Sequence, residues 1–132
     1  LELAAEMLVG IKPDENNIVL ELGVGTGAIT KYLQQIIPNR ESYLGIELDT
    51  EMVKTLGQKY ADLNIVCGNA AESYRIHQES GLGKVRYLVC CLPFVSLPKE
   101  VSESVLRRSV RLVTPIHLVR VHRERIDHRG SR

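Results

Sequence analysis

Ile18-Val19-Leu20-Glu21-Leu22-Gly23-Val24-Gly25-Thr26-Gly27-Ala28-Ile29-Thr30 is the stretch whose reading decides the fold of this chain. A β-branched apolar run ends abruptly in Gly23, Gly25 and Gly27, spaced two apart. Apolar residues then return at Ala28, Ile29, Leu33, Ile36 and Ile37, the three- and four-residue intervals of a helix. Strand, glycine turn and helix in succession open a nucleotide-binding α/β unit, because glycine accepts positive φ and lets a ligand approach the backbone. The glycines run G-x-G-x-G, not the G-x-G-x-x-G of dinucleotide folds, whose third glycine packs helix against strand. The phosphate-cradling G-x-x-x-x-G-K-[ST] pattern is missing, since the first lysine after Gly27 is Lys31. A glycine-rich turn without any ligand is the alternative that the loop by itself leaves open.

Composition sets the class. The chain has 132 residues, 44% hydrophobic and 25% charged, which fits one globular domain and is short for a complete doubly wound enzyme. No apolar run approaches the ~20 residues of a membrane span, and no secretory signal opens the chain, so a cytoplasmic protein is expected. Three cysteines, an odd number with Cys90 and Cys91 adjacent, make no disulfide framework and suit a reducing compartment. No C-x-x-C or paired cysteine–histidine spacing occurs, so no metal site is expected. Charge is divided unevenly. Residues 1–106 hold 9 Lys/Arg against 14 Asp/Glu, whereas residues 107–132 hold 8 Arg against 2 acids. The arginine-rich end reads as a solvated tail, with phosphate or nucleic-acid binding as the alternative.

Further strands and helices follow the turn. Residues 1–9 carry a helical apolar face, and residues 13–17 form a polar turn into the first strand. The helix after the glycines stops near Pro38. Residues 42–47 form a second strand ending in Glu47, which stands 20 residues after Gly27, the spacing of an acid that accepts ribose hydroxyls. Leu48 is placed to pack on an adenine face, and Asp49 to cap a helix over residues 50–60. A third strand over 64–67, a helix over 73–80 and a fourth strand over 85–91 follow. Pro93 and Pro98 then stiffen a loop at the fourth strand's carboxyl end, where open α/β sheets place their chemistry. A helix over 99–111 and a fifth strand within 113–121 complete the pattern. Alternating strands and helices predict a mostly parallel sheet with helices on both faces. His77 reads as a surface residue.

Glu21-Leu22-Gly23-Val24-Gly25-Thr26-Gly27 resembles motif I of class I S-adenosylmethionine-dependent methyltransferases, and the resemblance implies their Rossmann-like fold. It implies S-adenosylmethionine as cofactor, with Glu21, Gly23, Gly25, Gly27, Glu47, Leu48, Asn69, Ala70 and Cys91 around it. Such a ligand has no pyrophosphate, so the turn passes close under an amino-acid tail, and a carboxylate suits its cationic end. Where the family usually carries Gly-Asp-Ala, this chain has Gly68-Asn69-Ala70, an uncharged acceptor for the adenine amino group.

Cys91-Leu92-Pro93-Phe94 stands where ribosomal RNA adenine dimethyltransferases carry N-L-P-Y/F, with a thiol replacing the amine-accepting amide. The longer run to Val95-Ser96-Leu97-Pro98 looks like the loop of bacterial phospholipid N-methyltransferases. That resemblance implies phospholipid methylation: methyl transfer to the amine of phosphatidylethanolamine, by a protein peripheral on the membrane's inner face, with Cys91, Leu92, Pro93 and Phe94 as the substrate loop. RNA adenine N6-methylation and a non-catalytic remnant are the alternatives. Residues 1–112 would form an incomplete cofactor-binding core and residues 113–132 a basic tail. The sheet is expected to be truncated on its C-terminal side, with aggregation, poor activity or an inactive chain as the result.

Overall fold

The structure is a computed structural model that describes Glu6, residues 8–91 and, as backbone alone, residues 117–120. The elements are β1 (Asn17–Leu22), α1 (Thr30–Ile36), β2 (Tyr43–Glu47), α2 (Thr50–Lys59), β3 (Ile65–Cys67), α3 (Ser73–Ser80), β4 (Lys84–Cys90) and β5 (His117–Arg120). The five strands pair in the order β3-β2-β1-β4-β5, every pairing parallel. The helix read over 99–111, the loop over 92–98 and most of the tail lie outside the described residues. So do most of the first helix and the boundary placed at residue 112.

β1 is central because it is apolar on both faces, as a strand covered by helices on each side must be. Ile18, Leu20 and Leu22 join Leu44, Ile46, Leu88 and Cys90 in one core layer, against which Ile76 of α3 packs. Val19 points the other way, into a layer with Leu33 of α1, Leu56 of α2 and Tyr60 just beyond it. Helices therefore cover both faces. Each fully buried leucine contributes about 2 kcal/mol.

One boundary needs correction. The helical pattern read from Ala28 begins as α1 only at Thr30, because turns continue through Ile29. Ile36 is 36% exposed, and Ile37 turns extended before Pro38. The fifth strand, read within 113–121, is described at His117–Arg120, and residues around it lie outside the description.

Candidate active site

Parallel pairing brings the carboxyl ends of β1 to β4 to one edge, and the strand order reverses at β1. That is the position where open α/β sheets bind ligands. The turn leaving β1 is tied to β2 at once, by Gly23 N–H donating to the Ile46 carbonyl at 3.0 Å. Gly23, Gly25 and Gly27 have φ of 74°, 62° and 85°. At Gly27 a Cβ would also lie 2.9 Å from the Tyr60 ring, so the turn rests directly on the residue that follows α2.

Glu47 gathers the edge together. Its Oε1 accepts from Gly25 N–H at 2.7 Å and its Oε2 from Asp49 N–H at 3.0 Å, while its carbonyl accepts from Gly68 N–H at 2.9 Å. The glycine turn, the end of β2 and the end of β3 thus converge on one residue. A carboxylate offers about four lone-pair sites, so acceptor capacity remains after two backbone donors. Leu48, 67% exposed, presents an apolar side chain at the same edge. Asp49 caps α2 by accepting from Glu51 and Met52 N–H at 2.9 and 3.1 Å, as its place in the sequence predicts.

Asn69 is exposed, and its Oδ1 accepts from Ala71 N–H at 2.9 Å, capping the short 3₁₀ turn Ala70–Glu72. Cys67, exposed at the end of β3, is the register partner of Glu47.

Two side chains expected at the ligand face lie inside instead. Glu21 is fully buried, and its carboxylate accepts from Thr30 Oγ1 at 2.8 and 3.1 Å and from Tyr43 OH at 2.5 Å. It supports the turn from beneath, so direct contact with a ligand is replaced by contact with hydroxyls. Cys91 is 2% exposed and turns its Sγ toward Glu21 Oε2 at 3.9 Å. Its side chain belongs to the core, and its N–H donates to the Leu22 carbonyl at 2.9 Å. Burial is the common cause: an acid inside an apolar layer needs donors, and these residues surround it. Leu92, Pro93 and Phe94 lie outside the described residues.

His77 is half-buried, not at the surface, with Nε2 2.7 Å from the Gly83 carbonyl. Tyr43, Thr30 and Gly45 carry no role in the sequence reading. The signal that points to them is the acid itself, set within an otherwise apolar strand. Burial, followed by the neighbouring Glu21 charge, pushes the Tyr43 hydroxyl well above its ordinary pKa, so it stays protonated and donating.

The family described as methyltransferase domain matches residues 19–116. An ornithine lipid N-methyltransferase of Singulisphaera acidiphila is 29% identical over 107 residues, covering 78% of this chain and 56% of that protein. A ribosomal RNA small subunit methyltransferase A of Cupriavidus metallidurans is 31% identical over 84 residues, covering 64% of this chain and 29% of that protein. The chain thus spans about half the length of the first of these relatives and less of the second. Among solved structures, a TehB-like S-adenosylmethionine-dependent methyltransferase from Corynebacterium glutamicum superposes with a TM-score of 0.65 at 20% identity. That match covers 89% of this chain and 60% of the other.

Proposed function

This chain belongs to the methyltransferase domain family, whose methyl donor is S-adenosylmethionine, and we propose that it methylates the amine of a lipid headgroup, phosphatidylethanolamine foremost. The observation that carries the reading is the 2.7 Å hydrogen bond from Gly25 N–H to Glu47 Oε1. It sets a ribose-type acceptor against a turn that lets a ligand run close to the backbone. The donor set fits the cofactor. Glu47 keeps lone pairs for two vicinal hydroxyls, Leu48 offers an apolar surface for a purine, and Asn69 Oδ1 has a second lone pair for its amino group. Gly23, Gly25, Gly27 and Ala70 contribute backbone at the same edge, and Glu21 sets the turn from within.

When bound, S-adenosylmethionine supplies a methyl group on a sulfonium, open to in-line displacement by a neutral amine. The chain's own residues bind, orient and exclude water, which accounts for most of the rate gain in such a transfer. Cys91 and the residues that follow it, Leu92, Pro93 and Phe94, are the stretch that this reading assigns to the substrate amine. The ammonium formed on transfer then loses its proton to water. The lipid reading draws on the ornithine lipid relative, which covers more of this chain than the ribosomal one. Among the described residues no helix is long and apolar enough to cross a membrane, so the protein would meet lipid from the surface.

Calorimetric titration with S-adenosylmethionine tests the cofactor site. Wild type should bind, and Glu47→Ala should weaken binding by about 10- to 100-fold, the worth of hydrogen bonds to a charged group. Failure of wild type to bind, or indifference to Glu47, would remove the reading. Radiolabel transfer to phosphatidylethanolamine vesicles in preference to small-subunit ribosomal RNA supports the lipid acceptor. The reverse preference replaces it with methylation of ribosomal RNA, the substrate named for the ribosomal relatives.

A further inference from the structure

We propose that Tyr43 and Thr30 are positioning residues, which hold the Glu21 carboxylate as a clamp across the cofactor turn. The proposal rests on the cofactor reading given above and extends it to residues that touch no ligand.

The clamp is visible in the chain order. Glu21 stands two residues before the turn's first glycine, and Thr30 is the first residue of α1, immediately after the turn. Both oxygens of the carboxylate lie within 3.1 Å of Thr30 Oγ1. One side chain therefore spans the whole turn from beneath and fixes the separation of its two ends. Tyr43 anchors the clamp to the next strand, since its hydroxyl reaches Glu21 Oε1 at 2.5 Å from the start of β2. The other end of β2 is Glu47, the acceptor for Gly25 N–H. The strand that carries the anchor thus also carries the residue that the turn must meet.

Gly45 is an independent mark of the same device. It is the register partner of Glu21 on β2, and a Cβ there would run into the Tyr43 hydroxyl and come within 3.0 Å of a Val24 methyl. Only hydrogen at position 45 leaves room for the phenol to cross to the carboxylate. Burial of all three polar side chains makes the arrangement demanding, because a carboxylate without donors in that layer would be strongly destabilising. The raised Tyr43 pKa keeps the donor in place at ordinary pH.

The variants Tyr43→Phe, Thr30→Val and Thr30→Ser test the clamp at a temperature where circular dichroism shows each folded. Two readouts are taken. The first is calorimetric affinity for S-adenosylmethionine and for its product S-adenosylhomocysteine, which lacks the sulfonium charge. The second is the amide resonance of Gly25 in the ligand-free protein. Tyr43→Phe and Thr30→Val should each weaken both ligands by about tenfold. The Gly25 proton should move upfield as its bond to Glu47 loosens, and Thr30→Ser, which keeps the hydroxyl, should restore both readouts. A hydroxyl network that only stabilises the core would lower the melting temperature and leave both readouts at wild-type values, and that result overturns the proposal. If Tyr43→Phe does not fold, the Thr30 pair decides. If wild type binds neither ligand, the cofactor reading falls, while the Gly25 resonance still judges the clamp.

Discussion

Gly27 and Tyr43 show how single residues set the geometry of the turn. At Gly27, φ is 85° and the space where a Cβ would stand is taken by the Tyr60 ring. Gly27→Ala must hold a left-handed conformation, at about 1–2 kcal/mol, and also displace the ring. A loss of about 2 kcal/mol is expected, read as a fall of roughly 5–10 °C in a thermal melt. Tyr43 makes a different prediction. Its pKa is raised in the folded protein, so above about pH 10 the unfolded chain gives up this proton while the folded chain keeps it. The unfolded state then binds fewer protons, and stability falls as pH rises through that range. Denaturant titrations between pH 8 and 11 should show the fall in wild type and a shallower one in Tyr43→Phe.

At the scale of elements, α1 is a helix that packing has to hold. It has seven residues and no side-chain cap at its N-terminus, and a helix of that length is unstable alone in water. Leu33 is its fully buried apolar residue, so Leu33→Ala is expected to cost about 2–5 kcal/mol, seen as a lower urea midpoint. The order of elements was legible in the sequence because the strands are short, largely apolar runs, and each described helix opens with a polar residue. Residues 73–80 form α3 at the limits that the sequence predicts, and Asp49 caps α2 for a reason written beside it, three residues from the N–H it accepts. The start of α1 was less legible, since the apolar spacing from Ala28 continues unbroken while the backbone is still turning. The supports of Glu21 were not legible at all. Its partners lie 9, 22 and 70 residues away, and only the fold brings Thr30, Tyr43 and Cys91 to one carboxylate.

The whole molecule is a parallel sheet with its candidate ligand groups gathered along one edge, each from a different strand end. Gly25 follows β1, Glu47 ends β2, Gly68 and Asn69 follow β3, and Cys91 follows β4, its N–H donating to the Leu22 carbonyl at 2.9 Å. A ligand seated there joins segments far apart in sequence, so its binding free energy should appear in the stability of the sheet as a unit and not in one loop. At a concentration of 100 Kd a ligand that binds only the folded state adds about 2.7 kcal/mol. S-adenosylhomocysteine at that excess should therefore raise the melting temperature by several degrees. It should also slow amide exchange in β1, β2 and β4 together, since their slowest amides exchange through global opening. Glu47→Ala at the same ligand concentration, with its affinity 10- to 100-fold weaker, should keep only about 0.4–1.4 kcal/mol of that stabilisation. Protection confined to residues 23–27, with exchange in β2 and β4 unchanged, would mean that the turn binds alone and that the strand ends do not act as one site.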